Sequence, residues 1–131
     1  MTTPQAFSTG VAHRIGRYAD AVRVPAGYEQ ILTSGTPGLR ADGTLPDDFT
    51  EEARQAWRNV AEALSAAGAQ LTDIVSVRQW LTSADDIPAY AAVRSEVIKH
   101  EPTFMLGVVS GLIWPQIRVE IEVTAVRPAA G

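Results

Sequence analysis

Along residues 118–126 apolar and polar positions alternate strictly. Val119, Ile121, Val123 and Ala125 fall on one side, and Arg118, Glu120, Glu122 and Thr124 on the other. A period of two predicts a strand with one face in the core and carboxylates on the other. The nearly continuous apolar run 104–109 predicts a second strand, and Gly111, Trp114 and Pro115 mark the connection between the two. Residues 74–81, rich in β-branched side chains, read as a strand with Val75, Val77 and Leu81 on one face and Ile74, Ser76, Arg78 and Trp80 on the other. Two stretches change to a period of three to four. Ala53, Trp57, Val60, Leu64 and Ala67 make the buried stripe of a helix capped by Thr50 and stopped at Gly68, with Glu51 and Glu52 at its positive end. Tyr90, Val93, Val97 and Ile98 make the stripe of a second helix, capped within residues 83–86, opened by Pro88 and closed before Pro102.

The N-terminal third is less regular. Residues 1–13 are small and polar and read as a loosely held arm. Ile15, Tyr18, Ala21, Val22 and Val24 give an irregular strand, Pro25-Ala26-Gly27 a turn, and residues 28–34 a further strand, so that 14–34 reads as a hairpin. Residues 35–46 are dense in Gly and Pro and form a structured loop with a second turn at Asp42-Gly43. The Lys-Ser/Thr ending of a phosphate loop is absent there. The element order predicts an α+β domain over 1–131, a mostly antiparallel sheet with both helices on one face. The other face, carrying Trp80, would be left open and favours self-association.

Composition narrows the function. A length of 131 residues with 46% hydrophobic and 20% charged residues suits one soluble domain. A net charge of −4, with basic residues scattered, argues against nucleic acid. No cysteine is present, which excludes disulfides, thiolate metal sites and a Cys nucleophile. No His/Asp/Glu cluster has the spacing of metal ligands, and no window suits a membrane span, so neither metal nor membrane is expected and a cytoplasmic setting is the default. His13 and His100 read as surface residues.

One further set of features is local. Gly16-Arg17-Tyr18-Ala19-Asp20-Ala21-Val22, Leu32-Thr33-Ser34-Gly35, Asn59-Val60, Ala66-Ala67-Gly68-Ala69, Asp73-Ile74-Val75-Ser76-Val77, Tyr90, Pro102 and the run from Val119 to Arg127 occur in this order. In order and spacing they resemble the RidA/YjgF family of reactive-intermediate (enamine/imine) deaminases, over about Gly16 to Pro128. The resemblance implies a chorismate-mutase-like fold assembled as a homotrimer, with small-molecule clefts between subunits and no metal or organic cofactor. It implies hydrolysis of enamines or imines to 2-oxo acids and ammonia. Glu120 would position or activate water, Tyr18 would be a pocket tyrosine, and Ser34 and Gly35 would supply a strand-end contact.

One departure stands out. Active family members typically place an arginine two residues after the proline matching Pro102, where it forks onto the substrate carboxylate. Here that residue is Phe104, followed by Met105 and Leu106. The expected substrate is therefore an imine, enamine or related carbonyl compound with an apolar body, its pocket shaped by Phe104, Met105, Leu106 and Trp114. Arg17 and Arg118 are the positional candidates to compensate. The competing reading is a non-catalytic trimeric module that binds a small metabolite or a partner protein.

Overall fold

The computed structural model describes residues 3–130. Its central sheet has the order β3 (Tyr28–Leu32), β7 (Val119–Pro128), β5 (Ile74–Leu81), β6 (Thr103–Val108), with the two-residue β4 (Thr36–Pro37) also paired to β7. β1 (Gln5–Phe7) and β2 (Ala21–Arg23) form a separate antiparallel ribbon. Helices α1 (Phe49–Ala66) and α2 (Ile87–Val97) both pack on one face of the central sheet. No helix among the described residues is long and apolar enough to cross a membrane.

The alternation along β7 is realised as read. Val119, Ile121, Val123 and Ala125 are buried under the helices, and Glu120, Glu122 and Thr124 lie on the uncovered face. β7 pairs antiparallel with β3, β4 and β5, whereas β5 and β6 are parallel, joined by α2 as a crossover.

Several sequence expectations are corrected. Residues 14–24 are not one strand, since a 3₁₀ turn occupies Ala12–Arg14 and only Ala21–Arg23 is extended. β2 pairs with β1 and not with β3, so the hairpin is displaced and part of the N-terminal arm is a strand. This arm is fastened by Asp20, whose carboxylate accepts the backbone N–H of Thr9 at 2.6 Å and of Ala12 at 2.9 Å. Those backbone donors, Thr9 first, hold the Asp20 carboxyl below its ordinary pKa.

Helix α1 begins two residues earlier than the Thr50 cap implies. Asp48 caps it, accepting from Glu51 N–H at 3.2 Å, because Phe49 is buried and must lie inside the first turn. Its stripe is Ala53, Trp57, Val60 and Leu64; Ala67 is exposed, and Ala69 is buried beyond the stop. Gly68 takes φ +83°, as a helix stop requires. In β5 a bulge between Ile74 and Ser76 shifts the register, which brings Ile74 to the core and leaves Val77, Gln79 and Leu81 as its inner face.

The buried Gln79 bonds in two directions. Its Oε1 accepts from Tyr90 Oη at 2.6 Å, and its Nε2 donates to Met105 O at 2.9 Å, tying α2 through β5 to β6. Burial pushes the Tyr90 hydroxyl pKa up, so it remains a donor.

The glycine-rich loop lies on α1. Asn59 Nδ2 donates to Pro37 O at 2.9 Å and Leu39 O at 2.8 Å, and a Cβ on Gly38 would come within 2.2 Å of Glu52 O. Gly38→Ala should therefore force the loop off the helix and cost about 1–3 kcal/mol. A thermal melt checks this, and an unchanged Tm would contradict the packing.

Candidate active site

Glu120 is the second residue of β7 and lies on the open face, opposite Trp80 of β5 and Pro37 of β4. The chain leaves the ladder between β3 and β4, where Thr33 N–H donates to Val123 O at 3.0 Å and Val123 N–H to Thr33 Oγ1 at 3.0 Å. Ser34 and Gly35 follow this break and bring the chain beside Glu120. A Cβ on Gly35 would stand 2.6 Å from Glu120 Oε1, so only a glycine leaves the carboxylate where it is. No hydrogen bond or ion pair among the described residues reaches that carboxylate, and burial raises its pKa above the ordinary value of 4.5. Its neighbour Glu122 differs, being paired to Arg78 at 3.3 Å. One carboxylate of the strand is spent in a surface ion pair and the other is unpaired.

Gly35→Ala should displace the Glu120 carboxyl while adding little to the core. Turnover is expected to fall by up to about 100-fold with a small change in melting temperature. Steady-state kinetics beside a thermal melt would check it; full activity would show that the contact does not set the carboxylate position.

Phe104 and Leu106 lie on the helix-covered face at the β6 edge, in register with Val77 and Gln79. Tyr18 meets Phe104 edge-on, ring centroids 5.5 Å apart. The loop bearing Tyr18 is held by Asp20 and by Ala19 N–H, which donates to Pro102 O at 3.0 Å. Tyr18, Phe104, Met105 and Leu106 line a cavity of about 460 Å³ between α2 and β6.

Within one chain the predicted residues thus fall into separate groups. Glu120 and Gly35 are together on the open face, with Ser34 exposed one residue before Gly35, and Met105 is also exposed, in register with Arg78. Tyr18, Phe104 and Leu106 are together on the other. Arg17 is exposed beside the second group, on the wall of an adjoining depression of about 280 Å³. Trp114 lines a third depression with Pro46 and Arg118, apart from both groups.

Arg118 does not share the Glu120 face. Its Nε donates to Glu52 Oε1 at 2.7 Å and its backbone N–H to Glu52 Oε2 at 2.8 Å, while its second guanidinium nitrogen donates to Pro46 O and Asp47 O. It neutralises a fully buried glutamate of α1. The residue that sequence reading missed is Arg94 of α2, whose guanidinium carbon lies 4.4 Å from the Phe104 ring centroid. Its position in the last turn of α2, one residue after the buried Val93, was the available signal.

Comparison with known proteins agrees with this architecture. A family model described as endoribonuclease L-PSP matches residues 10–127. The chain is 33% identical to the 2-iminobutanoate/2-iminopropanoate deaminase of Capra hircus, over 86% of this chain and 82% of that protein. Among solved structures, the E. coli YjgF gene product is 30% identical with a TM-score of 0.70, covering 86% of this chain and 90% of that one. E. coli TdcF with bound serine is 26% identical with a TM-score of 0.70, covering 85% and 94%. The fold, with two helices on one face of a mostly antiparallel sheet, and the match over nearly the whole chain place this protein in the RidA/YjgF family, the family that the model describes as endoribonuclease L-PSP.

Proposed function

We propose that the protein hydrolyses a small imine or enamine with an apolar body, releasing ammonia and the oxo compound without a cofactor. The observation that carries this reading is Glu120, an unpaired, partly desolvated carboxylate of raised pKa held against Gly35. Such a group takes a proton from water as the water oxygen bonds to the imine carbon and the C=N π pair moves to nitrogen. It then returns that proton to nitrogen, and the carbinolamine loses ammonia as its hydroxyl proton passes through the carboxylate to the amino nitrogen, the C–N bond breaks and the carbonyl forms. The deaminase name of the goat relative supports the same reaction class.

Glu120 projects from the open face of the sheet and Tyr18, on a loop, packs against Phe104 on the other side, so a single chain does not converge them on one substrate. We place the cleft where the open face of one copy meets the Tyr18–Phe104 edge of another in a closed homotrimer. Leu32 at 68% exposure, Met105 at 42% and Trp80 on that face support burial against a second copy. Phe104 favours one competing reading, a binding module that has lost turnover.

The test is direct. Sedimentation should give a trimer, and 2-iminobutanoate generated in situ should yield ammonia and 2-oxobutanoate faster than in buffer. No acceleration over buffer, or unchanged turnover in Glu120→Gln, would overturn the enzymatic reading.

A further inference from the structure

We propose that Ser8, His13 and Glu101 form a second hydrolytic site, separate from Glu120, that cleaves activated esters carrying a short apolar acyl chain. His13 Nε2 stands 2.8 Å from Glu101 Oε1, and Ser8 Oγ stands 3.2 Å from His13 Nδ1. A carboxylate only accepts, so Nε2 carries the imidazole proton and Nδ1 of the neutral ring is left to accept from the Ser8 hydroxyl. The order is nucleophile, base and orienting acid, at the separations such a chain has before substrate binds.

Local folding sets these groups together. Asp20 draws the amides of Thr9 and Ala12 onto one carboxylate, and Gly10 at φ +98° turns the chain between them, so His13 comes back to Ser8. Glu101 enters from the segment between α2 and β6. Ser8 and His13 are exposed, which gives an ester access to both.

The acid of this chain also borders a cavity that the imine chemistry does not use. Glu101 lines a space of about 320 Å³ whose apolar walls include Pro4, Ala6, Val22, Pro102 and Val126. Pro4 and Ala6 lie two apart along β1 and both line it, and the same alternation carried one step past the strand puts Ser8 in their row. Val126 is six residues beyond Glu120 on β7, a separation of about 20 Å, so no small substrate reaches both sites.

Ser8 Oγ bonds to the acyl carbon as its proton passes to His13 Nδ1 and the C=O π pair moves to oxygen. That pair returns, the C–O bond to the alcohol breaks, and the leaving oxygen takes the proton from Nδ1. Water then attacks the acyl-Ser8 carbon by the same route, its proton passing through Nδ1 to Ser8 Oγ, and the acid is released. Glu101 holds the ring and stabilises the imidazolium formed in each half. The amides of Thr9 and Ala12 are taken by Asp20 and do not serve as oxyanion donors, so the substrate needs a good leaving group and amides are not cleaved.

The experiment is hydrolysis of 4-nitrophenyl butanoate, followed by 4-nitrophenolate release, beside imine turnover. Wild-type protein should exceed buffer, and Ser8→Ala and His13→Ala should each lose about 100-fold or more. Glu101→Gln should fall between Ser8→Ala and the wild type, since its amide oxygen still accepts the Nε2 proton but carries no charge. Ser8→Ala should keep wild-type imine turnover, the sign of an intact fold and of two separate sites. Phenylmethanesulfonyl fluoride should sulfonylate Ser8, as peptide mass spectrometry would locate. Ala6→Phe fills the cavity and should lower kcat/KM for the butanoate ester more than for the acetate ester. No hydrolysis above buffer, a Ser8→Ala rate equal to wild type, or a label on another residue overturns the site. Equal losses on the two esters in Ala6→Phe overturn the cavity as its acyl pocket.

Discussion

Glu120→Gln is expected to lower hydrolysis of an imine substrate by about 10²–10⁴-fold, the range supplied by a positioned general base. The amide keeps the shape beside Gly35 and removes the proton acceptor. In the wild type the reactive form is the carboxylate, so turnover should fall as pH is lowered. Because burial raises the Glu120 pKa, the half-point should lie above 4.5. A pH–rate profile of the wild type would show this limb.

The sign for stability is opposite. A carboxyl whose folded pKa is raised binds its proton more tightly in the native state, so its favourable contribution is complete below 4.5 and is lost as pH rises through the raised value. At neutral pH the charged, desolvated Glu120 therefore opposes folding. Glu120→Gln should melt at the same temperature as wild type or higher while losing activity. A variant that lost both together would mark Glu120 as structural.

The second large effect falls on stability. Arg118→Met removes the Nε donor from Glu52, a glutamate with no solvent exposure. The Arg118 backbone N–H remains, but it does not neutralise the charge. Breaking a buried pair by deleting one member costs about 3–5 kcal/mol. The low end is expected because the Arg118 side chain is 33% exposed. For a domain of this size the melting temperature should fall by on the order of 10 °C. The double variant Glu52→Gln with Arg118→Met should recover much of this, since no charge is then left buried. At temperatures where Arg118→Met remains folded, its turnover of the imine should equal that of wild type. A loss of turnover there would return Arg118 to the site.

What could be read in advance was whatever depends on near neighbours in the chain. The alternation of Val119, Ile121, Val123 and Ala125 fixes the inward face of β7 because side chains of a strand alternate whatever it pairs with. The stripe from Ala53 to Leu64 fixes the buried side of α1 for the same kind of reason. Gly68 ends that helix because a residue at positive φ is tolerated there at low cost. Motif order points to Glu120, Tyr18, Ser34 and Gly35, and the structure sets Gly35 against the Glu120 carboxylate while Tyr18 lies beside Phe104.

Pairing and charge partners were decided elsewhere. β1 binds β2 because Asp20 gathers the amides of Thr9 and Ala12, a contact that no periodicity encodes. Ile74 turns inward because a bulge absorbs one residue of β5, which alternation alone assigns to the wrong face. Arg118 follows Ile117 and stands just ahead of β7, outside the alternation that begins at Val119, so its side chain is free to reach back to Glu52 on α1, far along the chain. Arg94 and Phe104 meet because α2 crosses over β6, and an arginine's long side chain reaches whichever ring the tertiary packing sets beneath it. The sequence determined which faces are apolar and that a carboxylate lies on the open side; only the tertiary structure decided that Arg118 pairs with Glu52 and that Arg94 lies over Phe104, because long charged side chains choose partners through space and not along the chain.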